Sequence, residues 1–311
     1  MVGGPPASNG CQMLFVRSGM KGWAPHVFGT AGGTAIQPRV AVVGHVEWTT
    51  IARSDRVPLA GEVIHADVRW EGPAGGGAVA AVQLARLAGQ CSFFTALGDD
   101  AAGRRAGEQL SGLGVRVLAA ARGERTRHAV SLVDASGERT TTTLGPRLQP
   151  DSADPLPWHE LSGYDAVFFT AGDTGAVCAA RQAKTLVATS RELRIVASAR
   201  VPVDALAGSL RDPAEHYDPT ALIAAPGLLV RTDGADGGTF EVCGGPAARY
   251  SAAEPPGPIA DLYGVGDTFA AALTFALGAG ADVVTALSFA ADRGAEATTR
   301  TGPYPITAPV A

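Results

Sequence analysis

Apolar positions along this chain fall into two rhythms, and the switch between them predicts the fold. Val40–Val46 is an apolar run without alternation, bounded by Pro38 and Glu47. Such a run predicts a strand buried on both faces, as in a parallel sheet. Thr49–Arg53 and Glu62–Trp70 are shorter and mixed in polarity, which predicts strands exposed on one face. Gly75-Gly76-Gly77 then runs straight into Ala78–Ala88, apolar nearly all round and therefore a buried helix. Ser92–Leu97 reads as a strand, Gly98-Asp99-Asp100 as a turn, and Ala101–Leu113 as a helix that Asp100 caps and Gly114 ends.

Segments 115–121, 127–133 and 138–144 read as strands, the last two joined by the turn Asp134-Ala135-Ser136-Gly137. A Pro-rich connection covers 145–157. From 165 onward the rhythm is β-α-β, with strand Ala166–Thr170, helix Gly175–Thr189 and strand Arg194–Ser198. Gly227–Arg231 reads as a strand, 239–252 as a short hairpin region, and Gly266–Leu277 and Asp282–Thr298 as the closing helices. Strands alternating with helices over most of the length predict an α/β fold, a three-layer α/β/α sandwich with a mostly parallel central sheet. The strands within about 47–70 and 115–144 are extra, and they predict a small β-sheet lid over one side of a cleft. Residues 1–38, rich in Gly and Pro and without a sustained period, predict a flexible tail, leaving 39–311 as a single domain.

Composition narrows the partners. The chain has 311 residues, 46% hydrophobic and 18% charged, with a net charge of −5. That supports a sizeable core. No basic run is present, which argues against nucleic acid or an anionic membrane as partner. No apolar run approaches the roughly 18–20 residues of a membrane span. Cys11, Cys91, Cys178 and Cys243 lie far apart, which argues against a zinc site or a disulfide framework and fits a cytoplasmic protein.

The sharpest chemical signal is Asp261-Leu262-Tyr263-Gly264-Val265-Gly266-Asp267, leading into an apolar helix. A glycine-rich turn at a helix N-terminus offers free backbone N–H groups and the positive end of the helix dipole to an anion. A carboxylate at the mouth of the same turn can take a proton. The alternative is that Asp267 only caps a helix. Asp99 and Asp100 suggest a metal site less well than they suggest a cap.

Taken in order, Gly75-Gly76-Gly77, Leu97-Gly98-Asp99-Asp100-Ala101-Ala102-Gly103, Leu113-Gly114-Val115 and the 261–267 segment resemble the ribokinase-like (PfkB-type) carbohydrate kinase family, over about residues 39–304. The resemblance implies an ATP-dependent kinase with Mg2+ that phosphorylates a hydroxyl of a small carbohydrate or polyol. Asp267 would be the general base, and the amides of Gly264, Val265 and Gly266 the anion hole. Thr232 and Gly234, in the turn Arg231–Gly238, would contact ATP, unless that turn is a plain surface hairpin. Asp261, which opens the motif, would belong to the nucleotide side. Gly75, Gly76 and Gly77 would shape the acceptor site. It also implies a homodimer through the small sheet.

The departures from the family cluster at the acceptor. The family's sugar-binding Asp position holds Thr49, with Glu47 either replacing that carboxylate or standing as a solvated edge charge. The family's Asn position holds Val79. His45, Glu47, Trp48 and Thr49 should line the acceptor, with Trp48 stacking on a ring or simply packing in the core. For the family's Asn-x-x-Glu motif, which organises magnesium through water, the nearest match is Ser209-Leu210-Arg211-Asp212, with Asp212 in the acidic role and Glu215 close behind. These departures also leave room for a nucleoside or heterocyclic-alcohol kinase, or for a catalytically silent ligand-binding sensor.

Overall fold

The computed structural model describes residues 37–305, apart from 136 and 138. The tail expected over 1–38 therefore lies almost wholly outside the described residues. Thirteen strands and six α-helices are present among the described residues. They run in the order β1 (Val40–Val43), β2 (Glu47–Arg53), β3 (Asp67–Ala74), α1 (Gly76–Ala88), β4 (Cys91–Gly98), α2 (Ala101–Gly112), β5 (Val115–Arg122), β6 (His128–Val133) and β7 (Arg139–Leu144). Then follow β8 (Ala166–Phe169), α3 (Thr174–Ala180), β9 (Thr185–Thr189), α4 (Leu193–Ala199), β10 (Ala205–Ser209), β11 (Leu228–Thr232), β12 (Gly238–Val242), β13 (Ala248–Tyr250), α5 (Val265–Gly278) and α6 (Val283–Thr298).

Nine strands form one sheet in the order β13-β12-β11-β10-β9-β8-β1-β4-β5. It is parallel from β11 through to β5, and β12 and β13 extend it antiparallel. Burial of β1 on both faces gives the three layers. Val40 and Val42 join the core under α1, α2, α5 and α6, whereas Ala41 and Val43 join the core under α3 and α4. Each fully buried aliphatic or aromatic side chain in these two layers contributes about 1.5–3 kcal/mol.

A second, four-stranded sheet has the order β3-β2-β6-β7 and stands apart as the lid. Its root is fixed to the C-terminal segment. The Trp70 indole N–H donates to the Tyr304 carbonyl at 3.0 Å, Tyr304 Oη donates to the Pro73 carbonyl, and the two rings meet edge to face at 5.6 Å.

The architecture is the expected one, with local differences. Val115–Arg122 was expected in the lid but pairs in parallel with β4, as the edge of the main sheet. A run such as Val-Arg-Val-Leu carries no mark of which sheet it will join. The helix expected over Gly175–Thr189 is two elements, α3 and then β9, and the strand expected at Arg194–Ser198 is the helix α4. Short apolar stretches read alike as strand or helix. Cys91 and Cys178 carry free thiols, whereas Cys243 is disulfide-bonded.

Candidate active site

The order of the main sheet reverses direction between β1 and β8, since the chain leaves β1 toward β4 on one side and continues from β8 toward β9 on the other. A crevice at the carboxyl ends of strands at such a point is where open α/β sheets bind ligands. Gly44 and Thr170 follow the two strand ends, and they touch: a Cβ on Gly44 would come within 2.2 Å of Thr170 Oγ1. Glycine is needed there for the strands to close at this height.

Two helices aim their N-termini at this crevice. α1 opens on Gly75 (φ 81°) and α5 on Gly264 (φ 74°), and neither start has a side-chain cap. By contrast, α2, α3 and α6 are capped by Asp100, Asp173 and Asp282. Positive φ is reached by glycine without steric cost, and an uncapped start leaves N–H groups free for an anion. Gly264 is also packed tightly, with Pro303 Cβ 2.9 Å and Val79 Cγ1 3.1 Å from where a Cβ would stand. Val79 therefore supports the turn with its methyl groups. Gly266 is exposed and has open space around it.

Asp267 stands in the first turn of α5 with its carboxylate against Gly76, where a Cβ would lie 2.9 Å from Oδ1. Burial, reinforced by the charges of Glu215 and Glu47, pushes its pKa up to about 6, against the opposing pull of Arg139 and Arg191. A carboxyl poised there is ionised at neutral pH yet basic enough to accept a proton.

The expected acceptor-side residues divide. Glu47 is buried, and it accepts from Arg127 Nη1 at 3.1 Å, so it is no solvated edge charge. Thr49 is fully buried, with its hydroxyl 3.4 Å from Tyr263 Oη. Gly75 faces His45 and Glu47, with His45 Nε2 at 3.0 Å and Glu47 Cγ at 3.2 Å from an ideal Cβ. Gly77 instead backs onto the His45 main chain, at 2.6 Å from its carbonyl, and lets α1 approach β1. Trp48 does not line the site. It points to the other face of β2, where its indole N–H donates to Glu71 at 2.6 Å and Arg105 covers the ring at 4.4 Å. Alternation along a strand makes this unavoidable once Glu47 and Thr49 face inward.

On the nucleotide side, Thr232 ends β11 and its hydroxyl donates to the Gly208 carbonyl at 3.4 Å. Gly234 begins the short 3-10 turn that follows, held by Arg211, which bridges Asp233 and Asp236 at 2.8 Å each. Asp261 is buried, and its two carboxylate oxygens accept from the N–H groups of Tyr263 (2.9 Å) and Gly302 (3.0 Å). Its carboxylate is taken up by clasping the turn to the segment after α6. Asp212 caps a 3-10 turn through the Ala214 N–H at 2.9 Å and pairs with Arg191, and both contacts hold its pKa below the usual carboxylate range.

His45, expected to line the acceptor, is held neutral, with its pKa lowered to about 3 by burial and by the charges of Arg147, Arg127 and Arg191. Its Nδ1 is buried and has no partner among the described residues. Glu192 is buried and accepts from Arg147 at 2.6 Å. It closes Thr189-Ser190-Arg191-Glu192, a polar-x-x-Glu spacing that starts on the last residue of β9. The signal was hidden because 185–189 reads as the tail of a helix. Glu192, Asp212 and Glu215 each pair with an arginine, and no cluster of three or more metal-ligating side chains occurs among the described residues. That donor set suits Mg2+ held mainly by phosphate oxygens and water.

Residues 37–167 match the sequence model of the pfkB family carbohydrate kinases. No curated protein matches the sequence. Among solved structures, the chain is similar to the Arabidopsis thaliana ribokinase complexed with ribose and ATP, with a TM-score of 0.66 and 21% identity, over 86% of this chain and 94% of that one. It is also similar to the adenosine kinase of Sinorhizobium meliloti (TM-score 0.70, 18% identity, 88% and 97% covered). The Thermotoga maritima ribokinase gives a TM-score of 0.69 at 18% identity, with 86% and 96% covered. The fold is therefore ribokinase-like. Within it, residues 37–167 carry the sequence pattern of a PfkB family carbohydrate kinase.

Proposed function

We propose that this protein is an ATP-dependent kinase that transfers the γ-phosphoryl group to a hydroxyl of a small carbohydrate or polyol, with Asp267 as general base. The observation that carries the reading is the position of Asp267. Asp267 is half-buried in the first turn of an uncapped helix, at the reversal point of the sheet, facing a glycine that leaves room for a second reactant. Nucleotide use is carried over from the Arabidopsis enzyme, solved with ATP.

In this reading the acceptor hydroxyl sits between Asp267 and the γ-phosphate. Its oxygen forms a bond to phosphorus as the bond to the β,γ-bridging oxygen breaks, its proton passes to Asp267, and ADP leaves. The amides of Gly264, Val265 and Gly266 face the charge on the transferred group. Thr232 and Gly234, at the end of β11, contact the nucleotide. Mg2+, when bound, supplies charge neutralisation on the phosphates, with Glu192 and Asp212 holding its water. The lid excludes water, which would otherwise compete as acceptor. Exposed Val68, Val130 and Leu144 on the lid are consistent with a homodimer through that sheet.

A nucleoside or related heterocyclic alcohol is the second reading of the acceptor. It is favoured by Thr49 being tied to Tyr263 and Val79 to the anion turn, which leaves neither to bind sugar hydroxyls. Release of ADP from Mg-ATP across sugars, polyols and nucleosides separates the two.

A further inference from the structure

Tyr263 belongs to the turn that carries the base, and its side chain meets the lid. It is nearly buried, and its hydroxyl stands 3.4 Å from Thr49 Oγ1 on β2. The guanidinium carbon of Arg139, on β7, lies 5.2 Å from the centre of its ring. β2 and β7 are not neighbours, since β6 separates them. Two strands of the lid thus grip one side chain of the 261–267 turn, and Asp267 follows four residues later.

We propose that Tyr263 couples the lid to the catalytic base, its ring seating Arg139 so that lid closure delivers a cation to the edge of the phosphoryl-transfer site. This rests on the kinase reading of Asp267. The physical need is specific. A lid that excludes water also strips solvation from the base, and desolvation favours the protonated carboxyl at the moment a free carboxylate is required. A cation that arrives with the lid offsets that.

The groups around Asp267 leave this part to Arg139. Glu47 and Glu215 oppose ionisation, while Arg139 and Arg191 favour it. Arg191 comes from the main domain and is already bridged to Asp212 and Glu215. Arg139 is the one of the two that the lid carries. Seating it on an aromatic face fixes a long side chain at little cost to its hydration. Asp267 and Glu47 in turn act on Tyr263, whose hydroxyl is pushed up to about 12 chiefly by burial, so it stays protonated and is no competing base.

The test is direct titration of the Asp267 carboxyl by carbon-13 NMR on aspartate-labelled protein, without nucleotide, with the signal assigned by its loss in Asp267→Asn. The midpoint is expected to move to higher pH in Arg139→Gln and in Tyr263→Leu. It should stay close to the wild-type value in Arg139→Lys and in Tyr263→Phe, which keep the cation and the ring. A wild-type midpoint in Arg139→Gln overturns the proposal. So does a midpoint that moves in Arg139→Gln but not in Tyr263→Leu. If Tyr263→Leu does not fold, the Arg139 pair and Tyr263→Phe still decide, with a shifted Tyr263→Phe counting against the ring as the seat. Because no turnover is needed, failure of this coupling is distinguishable from failure of the kinase reading, which is decided separately by ADP release.

Discussion

Gly76 and Asp267 share the floor of the site: a Cβ on Gly76 would stand 2.9 Å from Asp267 Oδ1. Gly76 does not have positive φ, so alanine fits its backbone and would favour the helix by about 0.4–1 kcal/mol. Gly76→Ala is therefore expected to keep or slightly raise the melting temperature while displacing the carboxylate. Turnover should fall by about 10-fold to 100-fold, since misplacement by about 1 Å is that costly. Circular dichroism melting alongside kcat checks both halves.

The pH dependence follows from Asp267. A carboxyl pushed up to about 6 must be ionised to accept a proton, so kcat is expected to fall as pH drops through about 6. The same shift has a stability consequence. The folded value lies above the unfolded one, so the ionised carboxylate costs nothing below about pH 4 and its full cost is present above about 6. Asp267→Asn removes the charge and should stabilise the protein at pH 8 by about 1–3 kcal/mol, with little effect at pH 4. Denaturant unfolding at the two pH values checks the sign.

Glu47 and Arg127 form a pair whose acidic partner is buried. Arg127→Met leaves that carboxylate without its cation and should destabilise by about 3 kcal/mol. Adding Glu47→Gln in the same chain should recover part of the loss. Equal destabilisation in the single and double variants would show that the arginine acts through packing alone. Chemical denaturation of the three proteins measures the difference.

Most of the layered fold was legible because its signals are local. Val40–Val46 reads as a doubly buried strand, and Asp100 reads as a cap, which it is, accepting from the Gly103 N–H. The turn at 264–267 was legible as a glycine-rich helix start, and the structure adds that Asp267 faces Gly76 across about 190 residues of chain. What stayed hidden depends on pairing between distant segments. Nothing in Val115–Arg122 says that it joins β4 and not the lid. Nothing around Trp48 says which face of β2 turns inward until Thr49 meets Tyr263. Thr189–Glu192 was passed over because its strand is five residues long and reads as helix. The arginines around His45 come from Arg127, Arg147 and Arg191, separated widely in sequence, and only the folded chain brings their charges together.

Coupled ADP release with Mg-ATP over a panel of sugars, polyols and nucleosides, wild type beside Asp267→Asn, decides whether Asp267 is the base of a phosphoryl transfer from ATP. Acceptor-dependent ADP release is expected, falling by about 10²–10⁴-fold in the variant while ATP binding persists. Acceptor-dependent release that survives Asp267→Asn undiminished would contradict that role.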